Sequence, residues 1–224
     1  MRLSECPGSL LVCHKKELHM NAIDKYLNEH IEGIALRPPL FYNWPYGIRF
    51  EISMPWADHA EADNLRQIKE RSLTIFTQVF SDTDEMMLVA DVSLQQKKQT
   101  NLFKKYVKHK AVLRKLQHRQ NAPYNHRYLL PCTKADIRFG QLLSFICDKD
   151  FVNKGYDVEI YVVNVARKMI FHLYDDSGCD VIAVQKEELL PLYSRLNQWV
   201  LENDRSRIDQ MFQQMLPNNQ KRPD

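Results

Sequence analysis

The sequence predicts an α+β fold in a single domain, and three features of the chain lead to that class. Patterns typical of helices and of strands alternate along it, and its last third holds three strand-like runs with very short connections. Parallel strands need a crossover of about a dozen residues, so such connections predict an antiparallel β meander, packed by helices. With 224 residues, the chain can bury one sizeable core. We expect the domain over 19–213, an N-terminal extension over 1–18 and a disordered tail over 214–224.

The elements of the first 150 residues are predicted by the spacing of their apolar side chains. In chain order, the predictions are a helix at 19–31, a strand at 48–52, a helix at 60–80, a strand at 86–92, a helix at 102–117, a strand at 128–132 and a helix at 136–147. Asp58 precedes the second helix as a candidate cap. Arg49 and Glu51 lie on the wet face of the first strand, where a cross-strand ion pair is expected.

The last third of the chain carries the clearest patterns. Its β-branched and aromatic runs lie at 157–165, 169–174 and 179–184. A helix is predicted at 187–202, because proline is tolerated in a first turn and apolar residues follow at helical spacing. Asp204 then stands where it can cap a shorter final helix that ends near Phe212.

The net charge of +3 hides a strong polarity along the chain. Residues 92–134, the basic segment, contain eleven Lys or Arg and no Asp or Glu, which leaves 20 basic against 28 acidic residues elsewhere, a formal −8. Such a segment suggests nucleic acid, with Phe103, Tyr106, Tyr124 and Tyr128 placed to stack on bases. The candidate contacts are Lys104, Lys105, Lys108, Lys110, Arg114 and Lys115.

A second interpretation of the basic segment is a solvated helix docked on the protein's own core. Apolar residues recur at helical intervals through 102–117, and charge runs with that periodicity are usually one face of a surface helix. We favour this interpretation. Since no sequence-reading motif accompanies the cations, specific nucleic-acid binding is not expected.

Other signals restrict the class of protein. The five cysteines are odd in number and form no C-x-x-C pair, which indicates reduced, mostly buried thiols rather than a disulfide framework or a zinc site. No apolar run approaches the ~20 residues that span a bilayer. The six glycines form no phosphate-binding loop. We therefore expect a cytoplasmic protein without a membrane association, a cofactor, a bound metal or a small-molecule substrate.

The sharpest local feature is the run YDDSGCD at 174–180. Asp175, Asp176 and Asp180 offer the hard oxygen ligands that Mg²⁺ or Ca²⁺ prefers, which suggests a metal-dependent hydrolase. A hairpin turn explains the same letters, with Asp and Ser bonding to the local backbone and Gly178 supplying a positive φ. We favour the turn. His172, in the strand before it, is a general-base candidate, but a hydrogen bond to a neighbouring strand is the favoured role.

The second dense cluster is aromatic. Phe41, Tyr42, Trp44 and Tyr46 surround Pro45. If exposed, they make a binding patch for a protein partner, because Tyr and Trp dominate hot spots. If buried, they form a corner of the core. The sequence leaves both open.

Three stretches carry a family resemblance. They are LFYNWPYGIRFEIS at 40–53, IFHLYDDSGCDVIA at 170–183 and LLPLYSRLNQWVLENDRSRIDQMF at 189–212. They resemble a bacterial domain-of-unknown-function family that carries a Tyr-Asp-Asp-Arg-Gly motif, over about residues 20–213. Ser177 stands where that family has arginine. The resemblance implies a common fold and brings no established activity.

We predict the function by analogy with other small bacterial protein families. Small cytoplasmic bacterial families of this kind often include immunity proteins, which neutralise a cognate toxin by occluding it. We therefore expect a non-catalytic protein-binding module, most plausibly an antitoxin. Tyr42, Trp44, Tyr46 and the three aspartates are its candidate contacts. A metal-dependent hydrolase and a nucleic-acid binder are the alternatives.

Overall fold

One antiparallel sheet of seven strands organises the protein. The computed structural model describes residues 28–29, 31, 33–57, 61–93, 101–121, 125–148, 158–213 and 215. The strands are β1 Gly47–Glu51, β2 Glu85–Ser93, β3 Gln117–Asn121, β4 Asn125–Thr133, β5 Val158–Asn164, β6 Met169–Leu173 and β7 Gly178–Ala183. Their order across the sheet is β1-β7-β6-β5-β2-β4-β3. The predicted meander is therefore the β5-β6-β7 part of a larger sheet.

Helices account for most of the remaining described chain. The α-helices are α1 Leu40–Asn43, α2 Ala62–Val79, α3 Asn101–Tyr106, α4 Lys110–Leu113, α5 Phe139–Cys147, α6 Leu190–Leu196 and α7 Arg205–Phe212. Short 3-10 turns lie at Lys134–Asp136, Lys186–Leu189, Asn197–Trp199 and Glu202–Asp204. The fold class is α+β in one domain, as predicted.

The sheet is buried on both faces. Alternate residues of a strand face opposite sides, and on the first face they pack against apolar side chains of α2 to α7. On the second face, a smaller cluster that includes Val89, Tyr161 and Ile170 packs against Ile34 and Leu36. Where the faces are covered, charged side chains within the strands need partners inside the protein. The edge strand β3 is the exception, because His118 and Gln120 are exposed.

The predicted elements are mostly present, with shifted ends. The predicted helix at 187–202 is broken: α6 occupies its centre and a 3-10 turn follows at Asn197–Trp199. The described cysteines Cys132, Cys147 and Cys179 are buried and free, which agrees with the expected thiols. Burial raises the pKa of Cys132 and of Cys147 to about 12.

The basic segment departs from the predicted single helix. It forms two short helices, α3 and α4, and then strand β3, which the sequence did not indicate. Phe103 and Tyr106 are buried in the first-face core, which confirms that the segment docks on the body. Those rings, with the buried Tyr128, are not available to stack on bases, so the expectation was wrong for these three residues. Tyr124, the fourth, lies outside the described residues.

Several predictions fall outside the described residues. The extension 1–18, the candidate cap Asp58 and all but one residue of the tail 214–224 are among them. Of the predicted helix 19–31, residues 28, 29 and 31 are described and are helical. Within the described parts of the chain, no helix is long and apolar enough to cross a membrane.

Gly178 is needed for close packing rather than for a positive φ. Its φ lies outside the left-handed region, contrary to the turn prediction. A Cβ there would lie 2.7 Å from the backbone oxygen of Phe50 and closer still to the hydroxyl of Tyr174. The residue opens β7 opposite Glu51, where the backbone of the neighbouring strand leaves no room for a methyl group.

We predict that Gly178→Ala lowers the free energy of unfolding by about 1–3 kcal/mol, because inserted atoms in a packed site force shifts of the backbone. Gly140→Ala is the matched control, since a Cβ on Gly140 meets nothing within 4 Å. That variant should be neutral or slightly stabilising. Urea unfolding of the two variants measures the difference, and equal stabilities would contradict the packing argument.

Candidate functional site: an aromatic corner held by a buried ion pair

A buried ion pair joins β1 to β7. Asp180 Oδ1 accepts a hydrogen bond from Arg49 Nε at 2.8 Å, and its Oδ2 accepts one from Arg49 Nη2 at 3.2 Å. The two residues face each other in the strand register. Burial by itself lowers the pKa of Arg49, but the hydrogen bond and charge of Asp180 raise it overall. A cross-strand ion pair at Arg49 is therefore present, with Asp180 as the partner, but the expectation of a wet face was wrong because the pair lies in the interior.

Asp180 therefore does not belong to an exposed acidic tip. Its side chain is fully buried. Besides Arg49, its Oδ2 accepts the backbone N–H of Phe41 at 3.0 Å. The sequence placed this residue among the contacts for a partner or a metal ion, and the structure corrects that placement: the carboxylate is committed inside the protein.

The same carboxylate fixes the short helix α1 at its beginning, and an arginine fixes it at its end. Arg207 Nη2 donates to the carbonyl oxygens of Phe41 at 3.2 Å and of Trp44 at 3.1 Å. An anion near the N-terminus and a cation near the C-terminus complement the helix dipole. Four residues would not form a stable helix alone, so α1 depends on these distant side chains.

Three aromatic residues lie in this anchored helix or shortly after it: Tyr42, Trp44 and Tyr46. We call them the aromatic corner. Tyr42 is 53% exposed and Tyr46 is 37% exposed. Trp44 is half-buried, and its Nε1 donates to the carbonyl oxygen of Ala183 at 2.7 Å. The structure thus brings these three predicted contacts together and presents two of them to solvent.

Tyr42 is held from two sides. Its hydroxyl donates to Asp204 Oδ1 at 2.9 Å, and Arg49 lies 4.6 Å from the centre of its ring. The hydrogen bond to Asp204 raises the pKa of Tyr42, with burial adding to the effect. Asp204 is the N-cap residue of α7, as predicted, but its side chain makes no capping hydrogen bond and accepts the hydroxyl of Tyr42 instead.

Asp175 and Asp176 lie at the other end of β7 from the aromatic corner. They belong to the turn between β6 and β7, where Asp175 Oδ1 accepts the N–H of Ser177 at 2.7 Å and its hydroxyl at 2.6 Å. Asp176 is buried. The favoured turn chemistry is present. Among the described residues, no three His, Cys, Asp or Glu side chains group as metal ligands.

The nucleic-acid candidates lie on a different part of the surface. Lys104, Lys105, Lys108, Lys110, Arg114 and Lys115 are all exposed. They belong to α3, α4 and the adjoining turns, and α4 packs on β4 near the opposite edge of the sheet. The structure brings them together as one surface, separate from the aromatic corner.

Two further polar pairs lie on the second face of the sheet, beside the pair of Arg49 and Asp180. Arg127 Nε donates to Asp91 Oδ1 at 2.7 Å across β2 and β4. His172 Nε2 lies 2.8 Å from Glu159 Oε2, which confirms the favoured role of this histidine as a hydrogen-bonded strand residue. The alternation of each strand marks these residues as facing one side. Which of these residues pair across neighbouring strands depends on the strand register, which cannot be read from the sequence.

The comparisons with known proteins identify a family. A model of the family described as Domain of unknown function (DUF3885) matches residues 23–204, and the chain belongs to that family. It is also similar to Uncharacterized protein YnaE of Bacillus subtilis (strain 168), with 26% identity over 211 residues, or 82% of this chain and 98% of the relative. No solved structure gives a significant match. The matched range contains the aromatic corner together with Arg49, Asp180 and Asp204, whereas Arg207 lies just beyond its end.

We predict that Asp180→Asn lowers the free energy of unfolding by about 3 kcal/mol, because it removes the nearest counter-charge of the mostly buried Arg49, whose next carboxylate, Asp204, lies 3.9 Å away. Combined with Arg49→Met, it should show a coupling energy above about 1 kcal/mol, because the two residues share one interaction. The control cycle uses Asp63→Asn and Arg66→Met, a pair with the same 2.8 Å separation but side chains 64% and 68% exposed. Its coupling should be much smaller. Similar couplings in the two cycles would refute the importance of burial.

We also predict that Mg²⁺, Mn²⁺ and Ca²⁺ bind no more tightly than at millimolar concentration. The Asp180 carboxylate already has three donors and the Asp175 carboxylate has two, which leaves few oxygen lone pairs for a metal ion. Calorimetric titration tests this, with Asp176→Ala as the comparison. A micromolar site that this substitution abolishes would restore the metal-site hypothesis.

Proposed function

We propose that this protein is a non-catalytic protein-binding module whose partner docks on the aromatic corner. The observation that supports the proposal is that Tyr42 and Tyr46 are exposed to solvent although the helix beside them is held in place. Their rings face solvent, while the helix beneath them is fixed by Asp180 at one end and by Arg207 at the other.

Residues of the kinds found here dominate protein interfaces. Tyrosine, tryptophan and arginine are enriched among hot-spot residues. Arg207 is exposed beside the corner, with its guanidinium 4.4 Å from the centre of the Phe41 ring. A surface that is already ordered loses less conformational entropy on binding, so more of the contact energy appears as affinity. The hydrogen bonds of Tyr42 and Trp44 supply that order.

The partner that we propose is a bacterial toxin domain, which would make this protein an immunity protein. The formal −8 outside the basic segment supports a basic partner, because complementary fields accelerate association. An immunity protein acts by stoichiometric occlusion and needs a rigid recognition surface. The hydrolase alternative loses support because Asp180 is salt-bridged in the interior.

The proposal is tested by affinity purification from the native host with the full-length protein as bait. The expected result is a basic toxin domain recovered at a ratio near one to one. Tyr46→Ala should speed dissociation of this complex about 30-fold, the kinetic equivalent of a hot-spot loss of about 2 kcal/mol, with little change in the association rate. Surface plasmon resonance measures both rates.

Leu73→Ala is the matched control, since Leu73 is 39% exposed and lies on α2, outside the corner. It should leave both rates unchanged. Recovery of no protein partner, or a complex whose dissociation is equally insensitive to both substitutions, would argue against the aromatic corner as the docking site.

A further inference from the structure

We propose that the exposed cations of α3 and α4 form a nucleic-acid-binding surface that contacts the phosphate backbone without reading sequence. The basic surface consists of Lys104, Lys105, Lys108, Lys110, Arg114, Lys115 and Arg138. This inference rests on different residues from the aromatic corner and does not depend on the proposed function.

The basic-segment cations of this surface are not paired with carboxylates, although the ammonium of Lys105 lies 5.2 Å from the centre of the Tyr106 ring. The six from the basic segment are exposed, and within the described part of the chain none of them forms an ion pair. Other arginines of the protein differ from them: Arg49, Arg127 and Arg167 each pair with a carboxylate at 2.6–2.8 Å. An unpaired cation can bind a phosphate without first breaking an ion pair within the protein.

The surroundings of the basic surface lack negative charge. Helix α3 packs on α4 and α5, and α4 packs on β4. The sequences of these four elements contain no Asp or Glu. Asp136 lies close, since its carbonyl oxygen accepts the N–H of Lys108 at 2.8 Å, and it adds one negative charge beside the seven cations. The field of the surface therefore stays positive.

The backbone that carries the cations is fixed. Val107 and Ile137 form an isolated bridge, and the N–H of Arg138 donates to the carbonyl oxygen of Tyr106 at 2.7 Å. Arg138 Nη1 also donates to the carbonyl oxygens of Lys105 and Val107, both at 3.1 Å. The exposed guanidinium of Arg138 thereby joins the surface and holds the end of α3.

The placement of the aromatic rings decides the mode of binding. Phe103, Tyr106 and Tyr128 pack into the core, so these rings cannot stack on bases. Lysines and arginines without such platforms contact phosphates, which are the same in every sequence. Duplex DNA and double-stranded RNA present dense phosphate charge, and each cation bound to them releases counterions. We therefore expect strong salt dependence and no sequence preference.

The test measures fluorescence anisotropy of labelled 20-base-pair DNA and RNA duplexes of two unrelated sequences with the full-length protein. Binding should weaken about 100-fold between 50 and 150 mM salt if five cations contact phosphates. The two sequences should bind equally. Absence of binding at 50 mM salt, or a preference of more than tenfold for one sequence, would overturn the proposal.

Matched variants locate the site. Lys108→Glu with Arg114→Glu should weaken binding at least tenfold at 50 mM salt and reduce the slope of log affinity against log salt by about 2. Lys69→Glu with Lys186→Glu makes the same change in net charge outside the basic surface and should have much less effect. Equal loss in both pairs would show a general charge effect and refute the proposal.

Two additional measurements ensure that the test has a clear outcome. Lys108→Gln with Arg114→Gln removes the charges without reversing them and serves if the glutamate variant fails to fold, which circular dichroism reports. Vesicles of anionic phosphatidylserine are the second arm. Tighter binding to these vesicles than to the duplexes would assign the surface to a membrane and overturn the inference.

Discussion

The buried carboxylate of Asp180 imposes a constraint on which several other parts of the structure depend. A buried charge is costly unless it is paired and hydrogen-bonded. Here it is satisfied by two donors of Arg49 and by the backbone N–H of Phe41. Arg49 also lies 3.9 Å from Asp204, which in turn holds Tyr42. One charge thus ties β7 to the edge strand β1, to α1 and to the C-terminal segment.

The second face of the sheet repeats this arrangement across its width. The pairs Asp91 with Arg127, Glu159 with His172 and Asp180 with Arg49 together draw on six of the seven strands. The other half of that face is apolar and packs against residues 31–40. Because both faces are covered, each ionised side chain is paired near its own position. Arg127 also holds the covering segment through the carbonyl oxygen of Leu36 at 3.1 Å.

The sheet places its two candidate surfaces far apart. The aromatic corner rests on β1 and β7, and the basic surface rests on β4. Four strand spacings separate β7 from β4, which is about 19 Å across the sheet. A protein held at the corner would leave the opposite edge open to a polyanion. The first surface relies on fixed aromatic rings and the second on unpaired charge, so their ligands and their salt dependence differ in kind.

Local pattern determined most of the fold. The alternation of apolar and charged residues predicted β1, and apolar runs predicted β2 and β5 to β7. Apolar residues at helical spacing predicted α2 and α5. The short connections made the last three strands antiparallel, and turn chemistry placed Asp175. Long-range pairing decided the rest. The residues QHRQN form β3 only because they lie beside β4. Asp180 looks like part of an acidic turn, and Asp204 like a helix cap, until register and packing bring Arg49 and Tyr42 to them. Those partners are 131 and 162 residues away, a separation that no local pattern of side chains encodes.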